Sequence, residues 1–164
     1  MKRLSLPARR RAERGSVAVE TAAVVVFLAM FVTLPSIYWA FYFYTYSVAQ
    51  KAVHDVSLYL STAPRLEMTA AGPDGMPVAL AVARKILDSE MAGMPGPELG
   101  IVCNYQQASG LVASRPCTTA NNLNYRQDLV QITVSLDMRY IDPLTGSDTG
   151  IRIFPYAYVP YLGK

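Results

Sequence analysis

The chain has 164 residues, of which 52% are hydrophobic, and a formal net charge of +3, which leaves room for at most one modest domain beside an anchor. The charge is unevenly laid out. Residues 1–15 carry Lys2, Arg3, Arg9, Arg10, Arg11 and Arg14 against Glu13, whereas in the rest of the chain acidic side chains outnumber basic ones. The cations stop where an apolar run begins, so they form a membrane topology signal and argue against nucleic-acid binding.

Residues 1–15 show no apolar periodicity and contain Pro7, and they read as a basic cytoplasmic leader. Ser16 suits a helix start. From Thr21 to Gln50 there is no Asp, Glu, Lys or Arg, a run long enough to cross a bilayer. Pro35 removes the hydrogen bond to the carbonyl of Phe31, which predicts a bend. Tyr38, Trp39, Phe41, Tyr42, Phe43, Tyr44 and Tyr46 follow, and such rings prefer the water–lipid boundary. The predicted transmembrane helix is 16–46, with the N-terminus cytoplasmic and residues 47–164 outside. Val48, Ala52, Val56, Tyr59 and Leu60 keep helical spacing, so the helix is expected to run on to about Ser61 with one face on a domain.

Thr62–Met76 reads as a break, with Pro64 and the turn Gly72-Pro73-Asp74-Gly75. Pro77 opens a second predicted helix with a stripe of Val78, Val82 and Ile86 flanked by Ala79 and Ala83, ending before Gly93. Then the period changes to two. Val130, Ile132, Val134, Leu136, Met138 and Tyr140 alternate with polar residues, the strongest strand pattern in the chain. Ile151–Val159 is predicted to return as a second strand, confined to an edge or shortened by Pro155. Leu99–Asn104 and Gly110–Ser114 are a weaker third and fourth. The expected fold class is α+β: a long N-terminal transmembrane helix carrying a small extracytoplasmic domain with a second helix and a short antiparallel sheet.

Cys103 and Cys117 lie on the outer side of the span. That compartment is oxidising and favours a disulfide over two unrelated buried thiols; the closure is worth about 3 kcal/mol in the chain-entropy model. No catalytic constellation, cofactor site or metal cluster is visible. His54 is the only histidine and reads as a surface or packing residue. Asp128, Asp137, Asp142 and Asp148 sit at strand ends and turns, with no spacing of a calcium loop. Phe154, Tyr156, Tyr158 and Tyr161 read as a packed strand face in preference to a sugar or partner platform.

The sharpest pattern is Arg14-Gly15-Ser16-Val17-Ala18-Val19-Glu20, a basic leader ending in glycine with a carboxylate five positions later. A carboxylate in the apolar part of a span costs about 2.5–3.5 kcal/mol on insertion scales and usually has a task; a helix-start carboxylate favoured by the dipole is the plainer alternative. Cleavage after Gly15 would expose the Ser16 amine about one helical turn from Glu20. Between staggered neighbouring helices the amine of one meets the carboxylate of the next, a contact that sets register.

This junction resembles a type IV prepilin signal. With Val48–Leu60 it resembles, more narrowly, the TadE-like minor pseudopilin family of tight-adherence, or Flp-type, pili; the chain departs from the usual signal at Thr21. The resemblance implies processing at Gly15–Ser16 by a prepilin peptidase, an assembly role for Glu20, and a non-enzymatic subunit of the bacterial inner membrane. Its partners would be other pilins or pseudopilins, the pilus assembly machinery and the lipid bilayer. Two alternatives are an uncleaved single-span protein with an outer binding or sensor domain, and release by ordinary signal peptidase at Ser47-Val48-Ala49. The apolar run is far longer than the roughly 7–15 residues the last requires.

Overall fold

Pro35 has no N–H to continue an α-helical ladder and its ring crowds the carbonyl four residues back. In the computed structural model, which describes residues 9–72, 75–94, 96–123 and 127–163, the helix meets this with a widened turn. Helix α1 (Arg9–Leu28) passes into a π-helical turn at Ala29–Thr33, then into α2 (Leu34–Thr62). The backbone N–H of Leu34 donates to Ala29, the Thr33 hydroxyl reaches back to Leu28 at 3.3 Å, and the Ser36 hydroxyl donates to Val32 at 2.6 Å. π geometry and hydroxyl side chains thus serve the carbonyls of Leu28, Ala29 and Val32 in the turn beside the proline.

The helix also begins earlier than expected. Backbone from Arg9 is already helical, so Gly15 and Ser16 lie within α1 and not at its start. Ala12, Glu13 and Arg9, Arg10, Arg11 and Arg14 favour helix individually, and that propensity outweighs their missing apolar period. Residues 1–8 of the leader, Pro73 and Asp74 of the Gly72–Gly75 turn, and Pro95 lie outside the described residues.

The chain divides into two compact units, Met1–Phe41 and Tyr42–Lys164. In the second, α2 buries Ala49, Ala52, Val53, Val56, Ser57, Leu60 and Ser61, a face of small and aliphatic side chains. Helix α3 (Arg65–Thr69) stands where the sequence reads only as a break; the Pro64 carbonyl accepts from Glu67 and Met68, and Met68 plugs the core. Helix α4 (Val78–Glu90) follows Pro77 as expected, but it buries Ala79, Leu80, Ala83 and Leu87. Val78, Val82 and Ile86 are only half-buried. The stripe is turned toward Leu80 and Leu87 because the alanines seat the helix closely.

The sheet is antiparallel, ordered β2 (Val112–Pro116), β1 (Glu98–Gln107), β3 (Gln127–Ile141), β4 (Asp148–Ile153), with β5 (Tyr156–Pro160) also on β3. Strand β3 is therefore central, and its inward residues Ile132, Val134, Leu136, Met138 and Tyr140 are buried as the alternation predicts. The single return strand expected over Ile151–Val159 is two. Pro155 lacks an N–H and splits it, yet the Pro155 carbonyl accepts from Leu136 at 3.0 Å and carries the ladder across the break. Strand β1, read as weak, lies between β2 and β3. Gly100 obscures it; a Cβ there would come within 2.6 Å of the Ser135 hydroxyl, which would have to turn away.

A short helix, α5 (Thr119–Asn122), capped by the Thr118 hydroxyl, leads from β2 toward β3. The chain closes against the end of α2: Leu162 N–H donates to Ser61, the Tyr161 hydroxyl to Ala63, and Tyr161 N–H to Val130. At the other end of β3, Tyr140 meets Tyr42 edge-on with ring centroids 5.5 Å apart. Strand β3 and α2 therefore run in opposite directions.

Candidate functional site

Around Glu20 the helix is regular. Glu20 is exposed, and Thr21 turns its hydroxyl back to the Val17 carbonyl at 2.8 Å. That bond occupies the hydroxyl within the helix, as Ser and Thr do in apolar spans. Gly15, Ser16 and Glu20 share α1, with Ser16 and Glu20 about one turn, or ~6 Å, apart along the axis. Every described side chain from Val17 to Phe31 is exposed, including Val17 at 62% and Phe31 at 66%. The helix Val17–Thr62 is long and apolar enough to cross a membrane.

Of the aromatic group from Tyr38 to Tyr46, three rings, Tyr38, Tyr42 and Tyr46, are half-buried. Tyr42 and Tyr46 are stacked on each other at 6.5 Å, and Tyr42 packs on Tyr140. Trp39, Phe41, Phe43 and Tyr44 stay exposed.

Cys103 and Cys117 are disulfide-bonded, with Cα atoms 5.1 Å apart. Cys103 sits on the inner face of β1, and Cys117 directly follows β2. A β-bulge between Asn104 and Tyr105 lets three consecutive residues, Cys103, Asn104 and Tyr105, all be buried. The Tyr105 hydroxyl donates to Asn122 Oδ1, and Asn122 Nδ2 donates to the Met68 carbonyl at 2.6 Å, tying β1, α5 and α3 together. Burial pushes the Tyr105 phenol up to about 12. This network has no signature in the sequence, since neither residue belongs to a periodic stripe.

A cleft of about 350 Å3 opens beside this network, where Arg65 and Asp128 join the polar atoms of Tyr105 and Asn122. Of these, the Tyr105 hydroxyl and the Asn122 amide are engaged with each other and with the Met68 carbonyl.

The remaining candidates resolve locally. His54 is exposed, its Nδ1 3.5 Å from Asp55. Lys51 bridges Asp55 at 3.1 Å and also pairs with Glu90, joining α2 to α4. Hydrogen bonds that Lys51 donates to Glu90 and Asp55 raise the Lys51 pKa, and the bond from Lys51 lowers that of Asp55. Asp137 pairs with Arg152 at 2.5 Å and Asp148 with Arg139 at 2.9 Å. The Asp142 carboxylate accepts from Leu144 N–H and the Thr145 hydroxyl. These aspartates serve pairs and turns, and among the described residues no three His, Cys, Asp or Glu converge on a metal position. The packed face expected of the carboxy-terminal aromatics is overturned for three of four. Tyr161 is half-buried, whereas Phe154, Tyr156 and Tyr158 point into solvent, because Pro155 ends the strand and reseats the segment on the edge of β3.

Compared with family models, curated proteins and solved structures, the chain matches none.

Proposed function

We propose that the protein is a non-enzymatic minor pseudopilin that assists assembly of a tight-adherence (Flp-type) pilus. In this reading a prepilin peptidase cuts after Gly15 and the trimmed helix packs beside those of other pilins in the inner membrane, with the Cys103–Cys117 domain on the periplasmic side. The observation that carries it is Glu20, a carboxylate five positions after Gly15 on a helix whose described side chains from Val17 to Ile37 are exposed. Such a surface requires lipid or other helices. A buried-in-membrane anion favours a cationic partner, which the new Ser16 amine of a neighbour supplies.

N-terminal sequencing of protein extracted from its host's membranes tests this directly. The expected mature chain starts at Ser16, and Gly15→Val retains the leader. Glu20→Ala is expected to be processed yet to lose crosslinks to neighbouring pilin helices. Material that still begins at Met1, or unchanged crosslinking in Glu20→Ala, overturns the reading.

A further inference from the structure

The face of the sheet opposite the core carries a pattern that the fold does not consume. Register sets Tyr158 of β5 beside Thr133 of β3, and Tyr156 beside Ser135, which in turn faces Gly100 of β1. One level along, Gln131 stands beside Asn104, and Asn104 beside Ser114 of β2. On β3 these positions alternate with the buried Ile132, Val134 and Leu136, so they share the opposite face. From β5 to β2 that surface is about 14 Å wide. Tyr156 and Tyr158 are 60% and 61% exposed and meet edge to face, ring centroids 5.4 Å apart, as a ridge. Beside the ridge the surface is low, because Gly100 has no side chain and Ser135 a short one. The polar row next to it is preset. Asn104, largely buried, donates to Gln131 Oε1 at 3.2 Å and Thr133 Oγ1 at 3.3 Å, and accepts from the Ser114 hydroxyl at 2.7 Å. The Gln131 amide is thereby left to offer its N–H groups, and the Thr133 hydroxyl its proton. Among the described residues neither donor is spent within the chain.

We infer that this face binds a neutral oligosaccharide, its rings lying on Tyr156 and Tyr158 and its hydroxyls meeting the Gln131 amide and the Thr133 hydroxyl. A pyranose has an apolar C–H face that suits the electron-rich face of an aromatic ring, and rim hydroxyls that suit fixed donors. The charges select the same class. Glu98 stands beside Asp137 at one end of the surface, where Asp137 is bridged by Arg152, and Arg139 and Asp148 pair beyond them. Asp128 stands beside Gln106 at the other end, and Arg115, opposite Cys103, belongs to the core side. Among the described residues no ionised side chain lies on this face between those ends, so an uncharged ligand is complementary and the marginal acids repel a polyanion. A protein partner would call for a contiguous apolar centre, whereas here two rings stand beside hydrogen-bond donors. The inference does not depend on processing at Gly15 or on the pilus reading.

The test uses the full chain in phosphatidylcholine nanodiscs and saturation-transfer NMR. The probes are hexasaccharides of β-1,4-glucose, β-1,3-glucose and β-1,4-N-acetylglucosamine, with dextran sulfate as the charged comparison. At least one hexasaccharide is expected to receive transfer and dextran sulfate none. Tyr158→Ala, at an exposed position, is expected to weaken the binding about tenfold. Gln131→Ala, on a different strand, is expected to weaken it as well and carries the comparison if Tyr158→Ala loses its fold. Leu111→Ala, at the exposed tip of the β1–β2 turn, should bind like the parent. No transfer to any hexasaccharide, affinity unchanged in folded Tyr158→Ala and Gln131→Ala, or equal transfer to dextran sulfate overturns the proposal. A photocrosslinker placed at Tyr158 that captures one discrete protein in host cells also overturns it, and makes the face a protein interface.

Discussion

The long helix meets two environments, and its side chains change character between them. From Val17 to Ile37 every side chain is exposed, many of them large and aliphatic or aromatic; from Ala49 to Ser61 one face of small and aliphatic side chains is buried. Phe31 is 66% exposed, whereas Ala52, Val56 and Leu60 are wholly covered. A helix that is apolar all round has no preferred face within its own chain, whereas an amphipathic one has its partner specified. Among the described residues the first region is exposed, whereas the second is packed against the domain.

Truncation on each side sharpens this most strongly. Leu136→Ala, at a fully buried site on β3, is expected to cost about 2–5 kcal/mol in denaturant unfolding of the full chain in mild detergent. Phe31→Ala removes a larger side chain, one stacked on Phe27 at 4.8 Å, yet should leave the domain's midpoint within about 0.5 kcal/mol of the parent. Equal losses would erase the distinction between the two regions.

The disulfide gives the next effect. It joins β1 to the segment after β2, wholly inside the second unit. Cys117→Ser should therefore destabilise the domain by about 3 kcal/mol while membrane extraction of the protein is unchanged. A variant that unfolds at the parent's denaturant concentration would show that the bridge restrains nothing the core does not already hold.

What the sequence disclosed follows from how each feature is encoded. Strand β3 was legible because one face is buried along its length, so alternation survives from Val130 to Tyr140. The disulfide matches the pairing expected of the only two cysteines, and the second helix was legible from Pro77. Strand β1 was read as weak because Gly100 and the bulge at Asn104 interrupt its alternation, although both exist to fit β3. The split at Pro155 was half visible: the residue announced an edge, but only the carbonyl bond from Leu136 shows how two strands share it. Helices α3 and α5 were hidden because they are shorter than the window in which periodicity can be seen. At the candidate site, Gly15, Ser16 and Glu20 were singled out by the basic leader, the glycine-to-carboxylate spacing and the uncharged run that follows, and the structure places them in one helix. The Tyr105–Asn122–Met68 link left no trace, being a contact between segments far apart in sequence.

That link provides the smallest effect and the clearest sign. Tyr105 is buried, and its phenol is pushed up to about 12 from its ordinary 10.0; Tyr59, raised by burial and then by its bond to Glu67, also reaches about 12. Below pH 10 both phenols are protonated folded and unfolded, so their contribution is fully present. Between pH 10 and about 12 the unfolded chain releases protons that the folded chain retains, and stability falls as pH rises. Tyr105→Phe should cost about 1–3 kcal/mol at neutral pH, since Asn122 Oδ1 loses its buried donor. It should also make the alkaline decline shallower than in the parent, because only Tyr59 then remains raised to about 12. A neutral-pH cost with an unchanged alkaline slope would mean that the hydroxyl matters for packing alone and ionises as freely as in the unfolded chain. The second unit would then be less tightly closed around β1 than its burial implies.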